Sequence, residues 1–307
     1  MITYTSLAKR PQIFQRLTGV TLQEFDELLD KFSSSWDKFI RETRRRPDRQ
    51  RAPGGGRTPV LRDLTDKLVF VLVYVRMYPL LFLHGLMFGI AESNSCLWVH
   101  RLLSLLDEAL GYAHKRPLRG QGRRLDELIT EFPELKELGI LGDGTERPIR
   151  RPKDNGKQKT HYTGKKKRHT LKNIVITRPG TNTVLYLGQT QPGSIHDKTA
   201  IEAEQLKCRS PMLMGTDLAF QGLEIPNLHL VMPTKKPAGK ELTQLQKGQN
   251  KLFSSIRVNI EHAICGVKRS HAAADTYRNI RAGTDDLLMS IACGLHNLRV
   301  AYRYTSG

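Results

Sequence analysis

The texture of this chain changes once. Up to residue 110 the apolar residues recur at the three-and-four spacing of amphipathic helices; from Leu138 they come in short runs bounded by glycine and proline, the mark of strands. A chain divided in this way folds as an all-α part followed by an α/β part, and 307 residues are enough for both to bury a core. In the second part GILGDGTERPIRR, KRHTLKNIVITRP and TVLYLGQTQPG read as three successive strands, and residues 196–206 as a helix. Residues 211–220 read as a buried strand ending in Asp217 and 227–236 as another strand, with helices at about 252–270 and 284–304. Short turns between the first three strands imply antiparallel pairing, and the later crossover implies parallel addition, so a mixed sheet is expected.

The first part opens with an amphipathic helix over 21–40, started by a Thr21/Glu24 capping box and faced by Phe25, Leu28, Leu29, Phe32, Trp36 and Phe39. Residues 41–59 hold seven arginines, three prolines and a triple glycine, and two readings stand: a solvated basic loop or an arm that tracks DNA. The run 68–90 is long enough to cross a bilayer, but Arg76, Pro79 and His84 interrupt it. It reads instead as two core helices of a soluble domain that meet at Pro79. Residues 79–110 have a helix-turn-helix cadence. A short helix ends near Phe88, Gly89 permits the turn, Ser93 caps the next helix, and Asn94, Ser95, Leu97 and Arg101 face outward. The same cadence suits DNA reading, helical packing or dimerisation.

Charge narrows the choice of partner. Lys and Arg number 49 against 30 Asp and Glu, a net +19, which favours a polyanion, with nucleic acid first. The excess is clustered: residues 147–172 carry eleven Lys or Arg and one acid, Asp154, in what reads as a hairpin able to lie along a DNA backbone. Cys96, Cys208, Cys265 and Cys293 form no C-x-x-C pair and read as reduced, buried thiols of an intracellular protein; no signal peptide is read at the start.

Three acids stand out. Asp143 lies within the first strand after the apolar run GIL, and Asp217 ends a buried strand, both disfavoured places for a carboxylate. Each also suits a turn. Glu261 shares a helix stripe with Arg257 and Lys268, within roughly 40° of each other at about 100° per residue. A surface pair with Arg257 explains it equally well alone. Taken together, a central first strand with the fourth beside it lets Asp143 and Asp217 meet, and the following helix can bring Glu261 to the same edge. Three hard oxygen ligands suit Mg²⁺ or Mn²⁺, and two such ions about 4 Å apart suit phosphoryl transfer. Arg257 and Lys268 would then contact phosphates.

These residues resemble DDE transposases of bacterial insertion sequences, in the insertion-sequence-five group related to the eukaryotic Harbinger elements. The resemblance is carried by GDGTERPIRRP, HYTGKKKRHTLK, PGSIHD, GTDLAFQG and the spaced Arg257, Glu261 and Lys268, with LTGVTLQEFDELL, GGGRTPVL and FGIAES upstream, and spans nearly the whole chain. It implies an α/β, RNase H-like mixed-sheet catalytic domain at 135–307, preceded by an all-α part: a helical segment at 1–43, a basic flexible linker at 44–59 and a helix-turn-helix domain at 60–115. It implies a catalytic and metal-binding triad of Asp143, Asp217 and Glu261 holding two Mg²⁺ or Mn²⁺ ions, with Asp143 bridging both. DNA contacts are expected from Arg257, Lys268, Lys165, Lys166, Lys167, Arg168, Asn94 and Arg101, and His196 and Asp197 are expected to support the ligands from behind. The implied reaction is cleavage at transposon ends followed by strand transfer to target DNA, by a homodimer on terminal inverted repeats in the bacterial cytoplasm, at the nucleoid, with no membrane partner. Ser254 stands where relatives carry a tyrosine, which puts a phosphate or stacking contact there in doubt, and no insertion domain is expected before the Glu261 helix. Two other functions compete: a catalytically silent DNA-binding protein derived from a transposase, and a plain Mg-dependent nuclease of RNase H-like fold.

Overall fold

The computed structural model describes residues 1–44, 59–237, 239 and 241–305. In chain order the helices of the first part are α1 (Tyr4–Ala8), α2 (Pro11–Thr18), α3 (Leu22–Arg44), α4 (Leu64–Met77), α5 (Leu81–Phe88) and α6 (Glu92–Tyr112). A short 3₁₀ turn (Leu125–Glu127), α7 (Leu128–Glu131) and α8 (Leu135–Leu138) lead to β1 (Ile140–Pro148), α9 (Asn155–His161), β2 (Tyr162–Thr163) and β3 (Arg168–Thr177). Then follow β4 (Val184–Leu187), β5 (Gln191–Pro192), α10 (Asp197–Glu202), β6 (Met212–Gly215), a 3₁₀ turn (Leu218–Phe220) and β7 (Leu228–Val231). Three helices close the chain: α11 (Gln244–Lys268), α12 (His271–Ala274) and α13 (Thr284–Thr305). They form two compact units, one of Met1–Arg116, Lys268–Ala273 and Leu287–Ser306, the other of Pro117–Val267 and Ala274–Asp286. The split differs from the linear one expected at 135–307, because nearly all of α13 belongs with the first helices.

In the helical unit the capping box forms: Glu24 accepts from the Thr21 N–H at 2.7 Å, and Thr21 accepts from the Glu24 N–H at 3.2 Å. The helix it starts runs to Arg44, beyond the expected end at 40, and buries Phe25, Leu28 and Phe32; residues 45–58 of the expected linker lie outside the described residues. Leu68–Val75 of α4 is buried on every side, which is why its sequence imitates a membrane span. Tyr78, in the left-handed region, ends α4 just before Pro79. Gly89 ends α5 at φ +68°, and a Cβ on Gly85 would come within 2.5 Å of the Ile90 carbonyl oxygen, so the turn closes only on glycine there. The next helix is capped at Ala91, with no side-chain cap from Ser93, which is already helical. No helix among the described residues is long and apolar enough to cross a membrane.

In the second unit the sheet runs β2-β3-β1-β6-β7, with β4 and β5 also bonded to β3. The expected mixture holds: β1 pairs antiparallel with β3 (Asp143 opposite Val175) and parallel with β6 (Leu141 opposite Gly215). The first strand is therefore central, and β6 lies beside it. One face packs on Ile140, Ile174, Ile176, Tyr186, Ile201, Met214 and Phe220. Several local readings are corrected. The basic segment 147–172 is no plain hairpin, since α9 and β2 interrupt it. The third expected strand splits into β4 and β5, α10 stops at Glu202, and α11 starts near Gln244 rather than 252. Cys265 is exposed and Cys96 half-buried; only Cys208 and Cys293 fit the buried-thiol reading.

Candidate active site

Alternation along β1 sends Leu141, Asp143, Thr145 and Arg147 to one face and Ile140, Gly142, Gly144 and Glu146 to the other. Helix α11 covers the first face. Gly215 has no side chain where Leu141 and Phe253 close over it, a Cβ there lying 2.8 Å and 3.4 Å from their carbons. One turn after Phe253, Arg257 Nη2 reaches Asp143 Oδ2 at 3.2 Å, and both side chains are largely buried. The other Asp143 oxygen accepts from the Gly144 N–H at 2.8 Å. Burial pushes the Asp143 carboxyl above its ordinary range. Arg257 and the Gly144 N–H pull it down, and the charges of Asp217 and Asp197 add to the rise.

Asp217 is not inside a strand. The strand ends at Gly215, and Asp217 caps the 3₁₀ turn that follows, accepting from the Ala219 N–H at 2.9 Å. A turn-capping aspartate holds its carboxylate at the strand's carboxyl end, where its charge reaches Asp143. Glu261 lies one turn past Arg257 on α11 and is exposed. Arg257 pairs with Asp143, and among the described residues no three of His, Cys, Asp and Glu are gathered into a ready metal site. So the fold brings together Asp143, Asp217 and Arg257, and Glu261 stands exposed one helical turn beyond Arg257. Lys268 ends the same helix, half-buried.

On the opposite face Asp197, singled out in the sequence, joins two residues that sequence reasoning missed, Lys172 and Glu146. Lys172 is buried, with Nζ 2.6 Å from Asp197 Oδ1 and from the Ile195 carbonyl and 4.0 Å from Glu146, which in turn accepts from Thr170. Gly144 lets the Asp197 carboxyl approach β1, since a Cβ there would lie 2.8 Å from it. The available signal was parity: Lys172 stands opposite Glu146 in the register. His196, the N-cap of α10, is exposed and makes no side-chain cap. Two cations of the tract 147–172 are not on the surface: Lys172, and Arg147, whose guanidinium sits 4.6 Å over the Tyr277 ring. Lys165, Lys166 and Lys167 are exposed in the β2–β3 turn, where Lys167 takes φ +50°, and Arg168 is exposed at the start of β3. On α6, Asn94 and Leu97 are exposed as expected. Ser95 is instead buried against His84, and Arg101, though exposed, stacks over Phe39 and Trp98.

Asp143 and Asp217 fit a hard divalent cation. Both offer carboxylate oxygens, the largely buried Asp143 carboxylate is disfavoured as it stands, and on its face the Thr145 hydroxyl oxygen is buried without a hydrogen-bond partner.

Known proteins agree with this architecture. The family model described as DDE superfamily endonuclease matches residues 142–297, and that described as helix-turn-helix of DDE superfamily endonuclease matches 59–111, which covers α4 to α6. The chain is 28% identical over 290 residues to a protein of Microchaete diplosiphon, "Probable transposase for insertion sequence element IS702", covering 94% of this chain and 95% of that one. No solved structure matches. With a helix-turn-helix unit ahead of a mixed α/β unit whose family match takes in Asp143, Asp217 and Glu261, the chain belongs to the DDE superfamily endonucleases.

Proposed function

We propose that this chain cuts DNA at the ends of an insertion sequence and joins the freed ends to target DNA, using Asp143, Asp217 and Glu261 as acidic ligands for two Mg²⁺ or Mn²⁺ ions. The observation that carries this reading is the half-buried Asp143 on the central strand, held by Arg257 from α11 and felt by Asp217. When bound, divalent ions would supply activation of the attacking oxygen and charge stabilisation of the leaving one. The chain's own residues do the rest. Arg257 neutralises Asp143 in the free protein, and its buried, unpartnered Nε gives it a further donor for a phosphate oxygen. Glu261, exposed on α11 one turn past Arg257, would supply the third carboxylate. The Lys165–Arg168 turn holds backbone phosphates, and α6 presents Asn94 to base edges. A homodimer in the cytoplasm would hold two inverted-repeat ends together.

Asp143→Asn and Asp217→Asn test the reading. Each keeps shape and removes a charged ligand, so Mn²⁺-dependent cleavage of an end-bearing duplex should disappear while gel-shift binding persists. Cleavage near the wild-type rate in either variant removes that residue from the site. Cleavage without joining to a second duplex leaves a plain nuclease, and no cleavage by the wild type leaves a DNA-binding protein.

A further inference from the structure

Away from Asp143, in the same unit, an open cavity of about 480 Å³ lies between the segment after β1 and the loop that precedes α13. Arg150, Lys157, Arg278 and Arg281 line it against a single acid, Asp285. At its rim stands Ile280, fully exposed, with an arginine two residues before it and another directly after. The loop has a firm base. Tyr277 pairs with Ile149 as a β-bridge, its N–H bonds to the Pro148 carbonyl at 2.8 Å, and its ring lies under Arg147.

We propose that Ile280 is a wedge that inserts between base pairs of bound duplex DNA and kinks it, with Arg278, Arg281, Arg150 and Lys157 on the flanking phosphates. The inference locates a DNA contact for the proposed reaction and rests on that reading only for the identity of the partner as DNA. Charge selects the occupant: four cations against one carboxylate exclude a basic or neutral partner and match a phosphate backbone. The isoleucine selects the mode. An apolar side chain amid phosphate-binding cations gains nothing from the backbone, but at an unstacked base step it buries its surface, and such wedges kink DNA by about 20–90°. A β-branched residue is stiff at χ1 and loses little freedom on insertion. Arg147 shares the Asp143 face of β1 and anchors Tyr277, so the wedge loop is tied to the strand that carries the candidate acid. A kink held there would steer the duplex relative to that acid.

The test uses the full-length chain and a mixed-sequence duplex with a fluorescent donor and acceptor at its ends, with EDTA present so that no strand is cut. Wild-type protein at saturation should shorten the end-to-end distance. Ile280→Ala and Ile280→Ser should restore most of it while binding nearly as tightly and melting at the wild-type temperature, because the side chain is outside every core. Ile280→Met, which keeps an apolar wedge, should bend the duplex. Arg278→Ala with Arg281→Ala should weaken binding and lower the log–log salt slope by about 0.9 for each phosphate no longer neutralised. A wild type that does not bend DNA, or Ile280→Ala bending it equally, overturns the wedge. Because no cleavage is measured, either outcome leaves the endonuclease reading standing, and loss of cleavage in the acidic variants leaves the wedge standing.

Discussion

Asp143 and Glu261 illustrate two different positions for an acid. Asp143 sits where burial and neighbouring carboxylates disfavour its charge, and Arg257 and a backbone N–H favour it. Glu261 sits in solvent on the next turn of the helix. Glu261→Gln therefore separates its two readings. As a surface group its loss would leave both melting and cleavage unchanged. As a metal ligand its loss leaves melting unchanged and lowers Mn²⁺-dependent cleavage by orders of magnitude, and that is the expected result, checked by thermal melt, gel shift and cleavage on one preparation. His84 gives a residue-scale prediction about pH. Its Nε2–H donates to the Phe70 carbonyl at 3.1 Å, so its Nδ1 is the acceptor for the Ser95 hydroxyl at 3.3 Å. Neutral imidazole is fully satisfied there, and burial lowers the pKa from 6.5 to about 4. A depressed base is neutral in the fold while the unfolded chain takes up a proton, so the stability is complete above pH 6.5 and is lost as pH falls toward about 4. At about 1.4 kcal/mol per pKa unit the loss is roughly 3 kcal/mol. Melts across that range should show it, and in His84→Phe the pH dependence should flatten; an unchanged slope would mean that another group carries it.

At the scale of elements, the β2–β3 turn is the clearest candidate for a DNA contact. It is a short turn on a sheet edge, with four consecutive exposed cations. Replacing Lys165, Lys166, Lys167 and Arg168 by neutral residues should weaken binding to all duplex sequences alike and reduce the salt slope by about 0.9 for every phosphate that they neutralise. If titrations at several salt concentrations give the wild-type slope, the turn is a solvated loop. The turn was legible because a run of like charge cannot be buried. Burial of Arg147 and Lys172, in the same tract, was not legible from charge alone. Their places follow from register against β3 and from Tyr277 and Asp197, residues distant in sequence. The helix-turn-helix pair was readable from Pro79 and Gly89, whose backbone restrictions are local. The burial of Ser95 was not, because it depends on His84 of the preceding helix.

The whole molecule is less divisible than its linear order suggests. In the helical unit α13 buries Leu288, Met289, Ile291, Ala292, Leu295 and Leu298. Ser290 bonds to Asp107 at 2.6 Å, Asn297 to the Lys115 carbonyl at 2.8 Å, and Gly294 admits Leu110. Deleting residues 1–110, which a boundary between 115 and 135 would make harmless, takes away Asp107, Leu110 and the cores of α3 to α6. The truncated chain should then expose the apolar stripe of α13 and aggregate. Size-exclusion chromatography and a cooperative melt check this, and a monodisperse, folded truncation would show that α13 needs no partner from the first helices.

By itself the sequence determined the class of each part, the mixed pairing of the sheet, the basic character and the acids worth testing. Periodicity, turn residues and charge runs are local properties, and the chain carries them wherever it folds. Tertiary structure alone decided that Arg257 pairs with Asp143, that Asp217 caps a turn past its strand, that Lys172 and Arg147 are buried, and that the last helix returns to the first unit. Each of these depends on contact between residues far apart in the chain, which no local pattern encodes.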